Sequence, residues 1–451
     1  MRNHLGGGSR ALVVLVFTLS AAVTGWNVPA HAATPTPGAA RYQVSLTADD
    51  TGTIWHGRES VTFSNTGAWP LDDVWFRLWA NGHGRCADPA ITITDTAGGA
   101  WADPVVGCTA VRVDLSHALQ PGSDATVSFR FTLQVPKRDG RFGNADGVSL
   151  LGNALPILAV HDGGGWHLDP YVGFADSFYS LASSFRVTVD TPNALDVAAT
   201  GAQVQRSTAN GRTIRTFVAR HVRDFALAAS SFSRASRVVD GVPVRVWYRP
   251  DVIAATTARW VDRLAARSLA TFQKAFGAYP ARELDVVLTR LPNEGGMEYP
   301  GIVFVSPSFD AVAHEVAHQW WYASVGNDEY GAPWLDESFA TWSQTLPFDP
   351  WIRCDRYDWP SSSVRLTDGV DYFRRHPYRY GVIYSGGGCM LANLAGRFGL
   401  GRFETILRDY AHDHRNGVTD GSSFRAAVTR AGARYLPGFD APAFWRRWRV
   451  T

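Results

Sequence analysis

The pattern of apolar and polar residues changes character a little past the middle of the 451-residue chain. Over residues 42 to about 232, apolar side chains recur at every second position, which is typical of strands with one buried face. Turn clusters such as QPGSD and TANG separate these runs. The alternation predicts a mostly antiparallel β domain over residues 42–237. In TVSFRFTLQV the predicted inward face comprises Val127, Phe129, Phe131, Leu133 and Val135.

Beyond VDGVPVRVWY the apolar spacing becomes helical. Residues 251–276 follow this spacing, and Gly277 is a typical stop signal. Downstream, ELDVVLTRL and GIVFVS predict two strands that bracket the loop PNEGGMEYP, and further helices are predicted over 384–449. The chain is therefore predicted to be α+β, with a mostly helical second domain at 238–451 that contains a small sheet.

The N-terminus has the pattern of a secretory signal. Arg2 and Arg10 precede the apolar run ALVVLVFTLSAAV, and AHA at 30–32 is a small-residue cleavage site. The run has about 13 residues, short of the roughly 20 needed to cross a bilayer. We therefore expect residues 1–32 to be a signal peptide, 33–41 a flexible tail, and the mature protein to be secreted without a membrane span.

Charge and cysteine content limit the partners. The formal net charge is +2, and removal of residues 1–32 takes away two arginines and no acids, which leaves about zero. A neutral chain gives no reason to expect nucleic acid as a partner. Four cysteines without a CxxC pair favour disulfides over a thiolate metal site in an exported chain. Of three connectivities we favour Cys86 with Cys108 and Cys354 with Cys389, since each pair stays within one predicted domain.

The segment HEVAHQWW at 314–321 carries the clearest chemistry. On a helix, His314 and His318 lie four residues apart on one face, so that two imidazole nitrogens can share one metal ion. Glu315 stands about 100° round the helix, where a base for an attacking water belongs. The motif also occurs by chance, but Glu337 in APWLDESFATW follows after eighteen intervening residues. A catalytic zinc site needs three such protein ligands and an open position.

Two further motifs suit the same chemistry. Tyr384 in GVIYSGGGCML is a neutral donor with the reach to stabilise an oxyanion, and the three glycines after it would let the chain pass close to a ligand. In GGMEYP, Gly295 and Gly296 could pair with an extended peptide, and Glu298 could meet a positive group. On spacing alone, Tyr384 and Glu298 are more often ordinary core and turn residues.

GGMEYP, HEVAHQWW, WLDESFATW and VIYSGGG occur in the order, and at about the distances, found in the M1 family of zinc aminopeptidases. These gluzincins, typified by aminopeptidase N, have a thermolysin-like catalytic domain. NALPILAVHDGGGWHLDPY and DSFYSLASSFRVTVDTP resemble the family's N-terminal β domain, so the resemblance covers essentially the whole mature chain. It implies an enzyme that releases N-terminal residues from peptides with one Zn²⁺ per chain.

The resemblance assigns roles by position. It implies that His314, His318 and Glu337 bind zinc, that Glu315 is the general base, and that Tyr384 stabilises the oxyanion. Glu315 would later pass its proton to the leaving amine. Glu298 would bind the α-amine of the substrate, and the path of the peptide would be lined by Gly295, Gly296 and Met297.

Three departures leave alternatives open. The family's G-A-M-E-N reads GGMEY, the Lys-Gly after its catalytic tyrosine reads GG, and the printed sequence ends soon after the catalytic domain, as a short form without the C-terminal helical domain. A more open cleft would favour an endopeptidase of the same fold, and an inactive M1-like binding scaffold is a second alternative.

A third alternative, a carbohydrate-binding protein, depends on the 17 tryptophans. Four of these lie on the predicted zinc helices, where packing is the more usual role: Trp320, Trp321, Trp334 and Trp342. His161 and His167 lie in a glycine-rich loop of the β domain, could rim the cleft, and are assigned no role. Nothing in the sequence indicates the oligomeric state.

Overall fold

The computed structural model describes residues 35–292, 294–348 and 354–450. The predicted signal peptide at 1–32 lies outside these ranges. All the described residues belong to one compact unit.

Strands dominate the chain up to Tyr248. In chain order they are β1 (Gly38–Ala48), β2 (Ile54–Ser64), β3 (Leu71–Arg77), β4 (Ile91–Ala97), β5 (Gly99–Trp101), β6 (Ala110–Leu119), β7 (Asp124–Gln134), β8 (Phe142–Ala145), β9 (Val148–Leu151), β10 (Ile157–Leu158), β11 (His161–Asp162), β12 (Gly165–Trp166), β13 (Ser183–Pro192), β14 (Asp196–Ala199), β15 (Ala202–Ala209), β16 (Arg212–Val222), β17 (Leu227–Ser230), β18 (Ser233–Val239) and β19 (Val242–Tyr248).

Helices dominate the remainder. In chain order the elements are α1 (Ala255–Phe276), β20 (Leu284–Leu288), β21 (Gly296–Met297), β22 (Ile302–Val305), α2 (Phe309–Ala317), α3 (Trp334–Ser343), α4 (Val370–Arg375), α5 (Gly381–Phe398), α6 (Leu400–Asp413), α7 (Gly421–Tyr435) and α8 (Ala441–Arg447). Short 3₁₀ helices lie at Trp79–His83, Leu346–Phe348 and Pro377–Arg379. Within the described ranges no helix is long and apolar enough to cross a membrane.

The strand-rich part contains three main sheets. A seven-stranded sheet has the order β15-β16-β13-β1-β2-β7-β4, and two four-stranded sheets have the orders β10-β3-β6-β5 and β14-β17-β9-β8. The alternation that predicted β7 is confirmed, because its inward face is buried at all five expected positions. Most neighbouring strands of the large sheet are antiparallel, and β1 pairs with β13 in parallel.

The N-terminal end of this sheet differs from the expectation of a tail over 33–41. β1 begins at Gly38, which pairs with Ser64, and Arg41 pairs with both Thr62 and Ser184. The alternating burial of β1 starts with its first residues, and Ala40 is buried. Backbone pairing on both sides therefore converts the end of the expected tail into strand.

A five-stranded sheet of order β18-β19-β20-β22-β21 carries the helical part. Its first strand, β18, crosses the predicted domain boundary between residues 237 and 238. The whole of this strand belongs to the five-stranded sheet. β19, β20 and β22 run parallel, as buried strands connected by crossovers do, and β21 pairs antiparallel with β22 at the edge. The two strands predicted around PNEGGMEYP are therefore confirmed, and the loop itself adds the short edge strand.

The helices pack around one apolar core against this sheet. α1 ends at Phe276 and is followed by Gly277 at φ 98°, the stop that the sequence indicated. The four tryptophans expected to pack near the zinc motifs are all buried. Both predicted disulfides are present, Cys86 with Cys108 and Cys354 with Cys389, and the second ties the segment before α4 to α5.

Candidate active site

The helix that carries HEVAHQWW is short and well anchored. Ser308 caps α2 by accepting a hydrogen bond from the backbone N–H of Ala311. α2 ends at Ala317, and His318 follows as its C-cap with helical dihedrals, φ −60° and ψ −13°. His318 therefore stays on the same face as His314, although it lies one residue past the helix. The two imidazole rings are 4.7 Å apart, centre to centre.

The carboxylate of Glu337 meets both imidazoles. Glu337 lies in the first turn of α3, and its Oε2 is 3.0 Å from Nε2 of His314 and 3.6 Å from Nε2 of His318. In a tetrahedral zinc site with bonds of roughly 2 Å, neighbouring ligand atoms are about 3.3 Å apart. The two observed distances bracket that value. The donor set of two imidazoles and one carboxylate therefore fits a divalent metal ion.

The other nitrogen of each imidazole has its own partner. Nδ1 of His314 lies 2.7 Å from Oε1 of Gln344, and Nδ1 of His318 lies 2.9 Å from the backbone oxygen of Trp321. A carbonyl oxygen only accepts, so the proton of each ring is held on Nδ1 and the Nε2 lone pairs point to the shared site. Metal-binding histidines usually have this arrangement.

Glu315 stands beside the three ligands. Glu315 is buried, with only 5% of its surface exposed, and its Oε2 has no hydrogen-bond partner in the described structure. Burial raises the pKa of its carboxyl to about 7. A Cβ atom on Gly296 would lie 2.3 Å from Oε1 of Glu315. The carboxylate therefore occupies the space that the alanine of G-A-M-E-N would need, which gives a physical reason for glycine here.

Glu298 is the next acidic group of the cleft. Its side chain is 7% exposed, and within the described residues its carboxylate accepts no hydrogen bond. Burial raises the pKa of Glu298 well above its ordinary value, and the negative charges of Asp176 and Glu315 add to the effect. A carboxylate in the cleft wall that accepts no hydrogen bond from the protein can receive a positively charged group of a ligand.

The β domain contributes a buried ion pair to the same cleft. Nη1 of Arg141, the residue before β8, lies 2.7 Å from Oδ1 of Asp176. Both side chains are buried, and both line the cleft beside Glu298. Sequence reasoning missed these two residues. DSFYSLASSF contains Asp176 within a stretch that resembles the family, but nothing in the sequence alone distinguished Arg141 from the many other arginines.

Tyr384 lies over the ligand cluster, in the first turn of α5. Its hydroxyl donates a 2.8 Å hydrogen bond to Oε1 of Glu337. The expectation that its neighbouring glycines admit a ligand is wrong for Gly387, where a Cβ would lie 1.8 Å from Oγ of Ser338. Ser338 in turn donates to the backbone oxygen of Ile383 at 2.7 Å. The missing side chain allows α5 to pack closely on α3, and this contact sets Tyr384 beside Glu337.

All the predicted site residues converge on one cleft of about 340 Å³. Its walls come from α2, α3, α5, the edge strand β21 and a β-domain loop. The residues brought together are His314, Glu315, His318, Glu337, Tyr384, Glu298, Gly295, Gly296 and Met297. Their chemical roles remain predictions, but their proximity is a structural fact.

A second histidine–carboxylate group lies elsewhere in the molecule. Nδ1 of His167 is 3.6 Å from Asp328 and 3.9 Å from Asp169, and its Nε2 is 2.9 Å from Asp162. All four side chains are partly exposed, and none lines the cleft. Both ring nitrogens of His167 therefore face carboxylates, unlike the nitrogens of His314 and His318.

Residues 263–448 match the peptidase family M1 domain. The matched segment covers less than half of the chain. It contains every ligand, base and substrate residue proposed from the motifs. The recognition of the family from the sequence is thereby confirmed.

Curated relatives carry aminopeptidase names. Human aminopeptidase B is 26% identical over 207 residues, which cover 38% of this chain and 31% of the relative. The mitochondrial aminopeptidase 2 of Saccharomyces cerevisiae is 28% identical over 151 residues, which cover 29% of this chain and 15% of the relative. The matched part of the chain therefore spans about a third or less of the length of these relatives.

Solved structures extend the likeness to both domains. An M1 zinc metallopeptidase from Deinococcus radiodurans matches with a TM-score of 0.65 and 20% identity over 90% of this chain and 92% of that chain. A mutant form of that enzyme bound to a Tyr-Ser-Ala substrate matches with a TM-score of 0.65 and 20% identity, over 91% and 93%. At this identity the likeness establishes the fold alone. The chain has the two-domain M1 metallopeptidase fold, which confirms the predicted α+β class.

Proposed function

We propose that this protein is a zinc-dependent aminopeptidase that releases N-terminal residues from peptides. One observation carries the proposal: His314, His318 and Glu337 converge in a cleft that also contains Glu298, a buried carboxylate without a hydrogen bond. The M1 domain match and the aminopeptidase names of the curated relatives support the same class.

The residues that would hold the metal are Nε2 of His314, Nε2 of His318 and the carboxylate of Glu337. Nitrogen and oxygen donors in this number suit zinc with one position left open. When bound, zinc supplies Lewis acidity, which polarises a carbonyl oxygen and lowers the pKa of water. Gln344 and the backbone of Trp321 keep both imidazoles in the required orientation.

Glu315 would be the general base. Its buried and unpaired Oε2 is free to take a proton from the attacking water and to return it to the departing amine nitrogen. The new C–O bond forms first, and the peptide C–N bond breaks when Glu315 returns the same proton to the departing nitrogen, so Glu315 ends in its starting state. The close contact with Gly296 limits where this carboxylate can lie.

Tyr384 would stabilise the negative charge that develops on the carbonyl oxygen. Its hydroxyl is a neutral donor at the mouth of the ligand cluster, and it donates to Glu337 in the structure. We propose that it donates to the oxyanion when a substrate is bound.

The edge strand β21 and Glu298 would orient the substrate. β21 pairs with β22 on one side only, so its other side can accept an extended peptide as an added strand. Glu298 follows directly and would bind the free α-amine, which places the first peptide bond at the metal ligands. The charge of the amine would compensate the buried carboxylate.

The test uses aminoacyl-amide substrates in free and N-acetylated forms, before and after chelation and zinc readdition. We expect hydrolysis of the free amines only, lost with the chelator and restored by zinc. Cleavage of the blocked substrates would assign the protein as an endopeptidase of the same fold. Zinc binding without any hydrolysis would favour an inactive binding scaffold.

We also propose that the mature protein is exported. Two disulfides, each closed within the described residues, suit an oxidising compartment. Expression of the full sequence in a secreting host, followed by N-terminal sequencing of the protein in the medium, tests this. We expect a first residue of Ala33, and retention of uncleaved protein in the cells would contradict the proposal.

A further inference from the structure

The residue after Glu298 connects the cleft to the β domain. Tyr299 is 3% exposed, and its hydroxyl donates a 2.7 Å hydrogen bond to Oδ1 of Asn153. Its ring packs at a tilt on Phe304 of β22, with 5.2 Å between the ring centres. Tyr299 therefore reaches from the catalytic part of the chain into the strand-rich part.

Asn153 is held firmly in the orientation that receives this hydroxyl. Its Nδ2 donates at 2.8 Å to Oδ2 of Asp224, and Oδ1 of Asp224 accepts from the backbone N–H of Phe225 at 2.6 Å. Asn153 and Asp224 are each 1% exposed. Because only the amide NH₂ can donate to the carboxylate, the amide oxygen must face Tyr299.

Gly152 leaves the space that the tyrosine fills. A Cβ atom at this position would lie 2.1 Å from the hydroxyl oxygen of Tyr299 and 2.4 Å from Cζ. No side chain can be added at Gly152 while Tyr299 stays in place. Gly152, Asn153 and Asp224 therefore form a fitted receptor for the end of the Tyr299 side chain.

The opposite side of the same loop is held by the metal-binding segment. Nε2 of Gln319, the residue after His318, donates to the backbone oxygen of Tyr299 at 3.1 Å. Its Oε1 accepts from the backbone N–H of Gly301 at 2.8 Å. The loop that carries Glu298 is thus anchored through its backbone to the metal site and through Tyr299 to the β domain.

This double anchoring matters because the carboxylate of Glu298 accepts no hydrogen bond among the described residues. Its position is set by its own backbone and by packing. We propose that Tyr299 is a positioning residue: through Asn153 and Asp224 it fixes the distance between Glu298 and the metal ligands, so that the β domain takes part in recognising the α-amine. This inference rests on the proposed aminopeptidase function.

A pair of inhibitors isolates the α-amine. Leucine hydroxamate and 4-methylpentanohydroxamic acid share the metal-binding group and the side chain, but the second lacks the amine. Calorimetry on the zinc-loaded protein gives both dissociation constants. The constant of the compound without the amine, divided by that of leucine hydroxamate, measures how strongly the amine is recognised. We expect Tyr299→Phe to reduce this ratio about five- to tenfold, because Asn153 loses its donor and the loop relaxes. Binding of the compound without the amine should not change.

Gly152→Ala tests the same contact from the other side, since it keeps the hydroxyl and displaces it. The expected result is a reduced ratio like that of Tyr299→Phe. Gly163→Ala is the matched glycine control, because a Cβ there meets no atom within 4 Å. Tyr330→Phe is the matched tyrosine control, because it removes a 2.7 Å hydrogen bond to Asp371 outside the cleft. Both controls should keep the wild-type ratio, with thermal unfolding recorded for all four variants.

Three results would overturn the inference. An unchanged ratio in both Tyr299→Phe and Gly152→Ala would show that the contact does not position Glu298. An equal loss of affinity for both compounds would show a general structural role only. If the unaltered protein itself binds both compounds equally, then the α-amine is not recognised at all, and the proposed aminopeptidase function fails together with the inference.

Discussion

Two groups of histidine and carboxylate side chains in the described structure differ in their surroundings. In the first, the outer nitrogens of His314 and His318 meet Gln344 and a backbone oxygen, which leaves their inner nitrogens to converge on Glu337. In the second, His167 meets carboxylates through both nitrogens. The first group is mostly buried and lines the cleft, whereas the second is partly exposed.

The difference shows that proximity of ligand-type residues does not by itself define a metal site. What separates the groups is the partner on the far side of each imidazole. A carbonyl or amide oxygen there fixes the proton and directs a lone pair to the metal, whereas His167 has a carboxylate beside each nitrogen. Burial then strengthens every interaction in the first group, because little water competes.

The largest expected effect comes from removing one imidazole of each group. His318→Ala should abolish both hydrolysis and the retention of about one zinc per chain, because a catalytic site needs three protein ligands. His167→Ala should keep metal content and activity. Metal analysis of dialysed protein, with the free-amine hydrolysis assay, measures both. Loss of zinc from His167→Ala would break the comparison.

The second effect separates metal binding from catalysis within the first group. Glu315→Gln should lower kcat about 10²- to 10⁴-fold, because the base is removed, while zinc content stays the same. Asp328→Asn is the corresponding change in the second group, and near wild-type kcat is expected. Steady-state kinetics and metal analysis on the same samples measure kcat and zinc content for both variants. Zinc loss in Glu315→Gln would mean that this residue helps to hold the metal.

A third comparison concerns the tyrosine that lies on each group. Tyr384→Phe should lower kcat about 10²- to 10³-fold with little change in KM, because its hydroxyl is proposed to act only on the developing oxyanion. The ring of Tyr179 packs edge-on against His167, 4.8 Å between ring centres, and Tyr179→Phe should leave both constants unchanged. If Tyr384→Phe raised KM and spared kcat, the hydroxyl would act in substrate binding instead.

The smallest expected effect tests the outer partners directly. Gln344→Leu removes the acceptor for Nδ1 of His314 and should weaken zinc affinity about 10- to 100-fold. Asp162→Asn alters the outer partner of His167 and should not affect zinc affinity. Competition with a chelator of known affinity reports both values. Equal zinc affinity in Gln344→Leu and the unaltered protein would show that the outer contact does not orient the ligand.

Much of the fold follows from short-range patterns. The period-two alternation located β7 and its inward face, and the helical spacing before Gly277 located the end of α1, because burial of one face is a local demand on the sequence. The same logic failed at the N-terminal end of β1. There the chain becomes strand because β2 and β13 supply backbone partners on both sides, and no local pattern encodes those partners.

The candidate site divides in the same way. The spacing alone predicted that His314, His318 and Glu315 lie close together. Two histidines four residues apart share one face of a helix, and Glu315 stands beside them. The contributions of Arg141, Asp176 and Asn153 were not predictable, because more than a hundred residues separate them from the zinc motifs. The glycines after Tyr384 were interpreted as room for a ligand, whereas the structure uses Gly387 for packing on Ser338.

The sequence by itself therefore determined the zinc motif and the strand and helix periods, since each depends on local spacing, and it favoured the two disulfide pairings that the structure contains. Only the tertiary structure decided which nitrogen of each imidazole faces Glu337, and that Glu298 stays buried without a hydrogen bond. It also showed that Tyr299 ties the cleft to the β domain. These features depend on distances between segments far apart in the chain, which close packing sets and residue order does not.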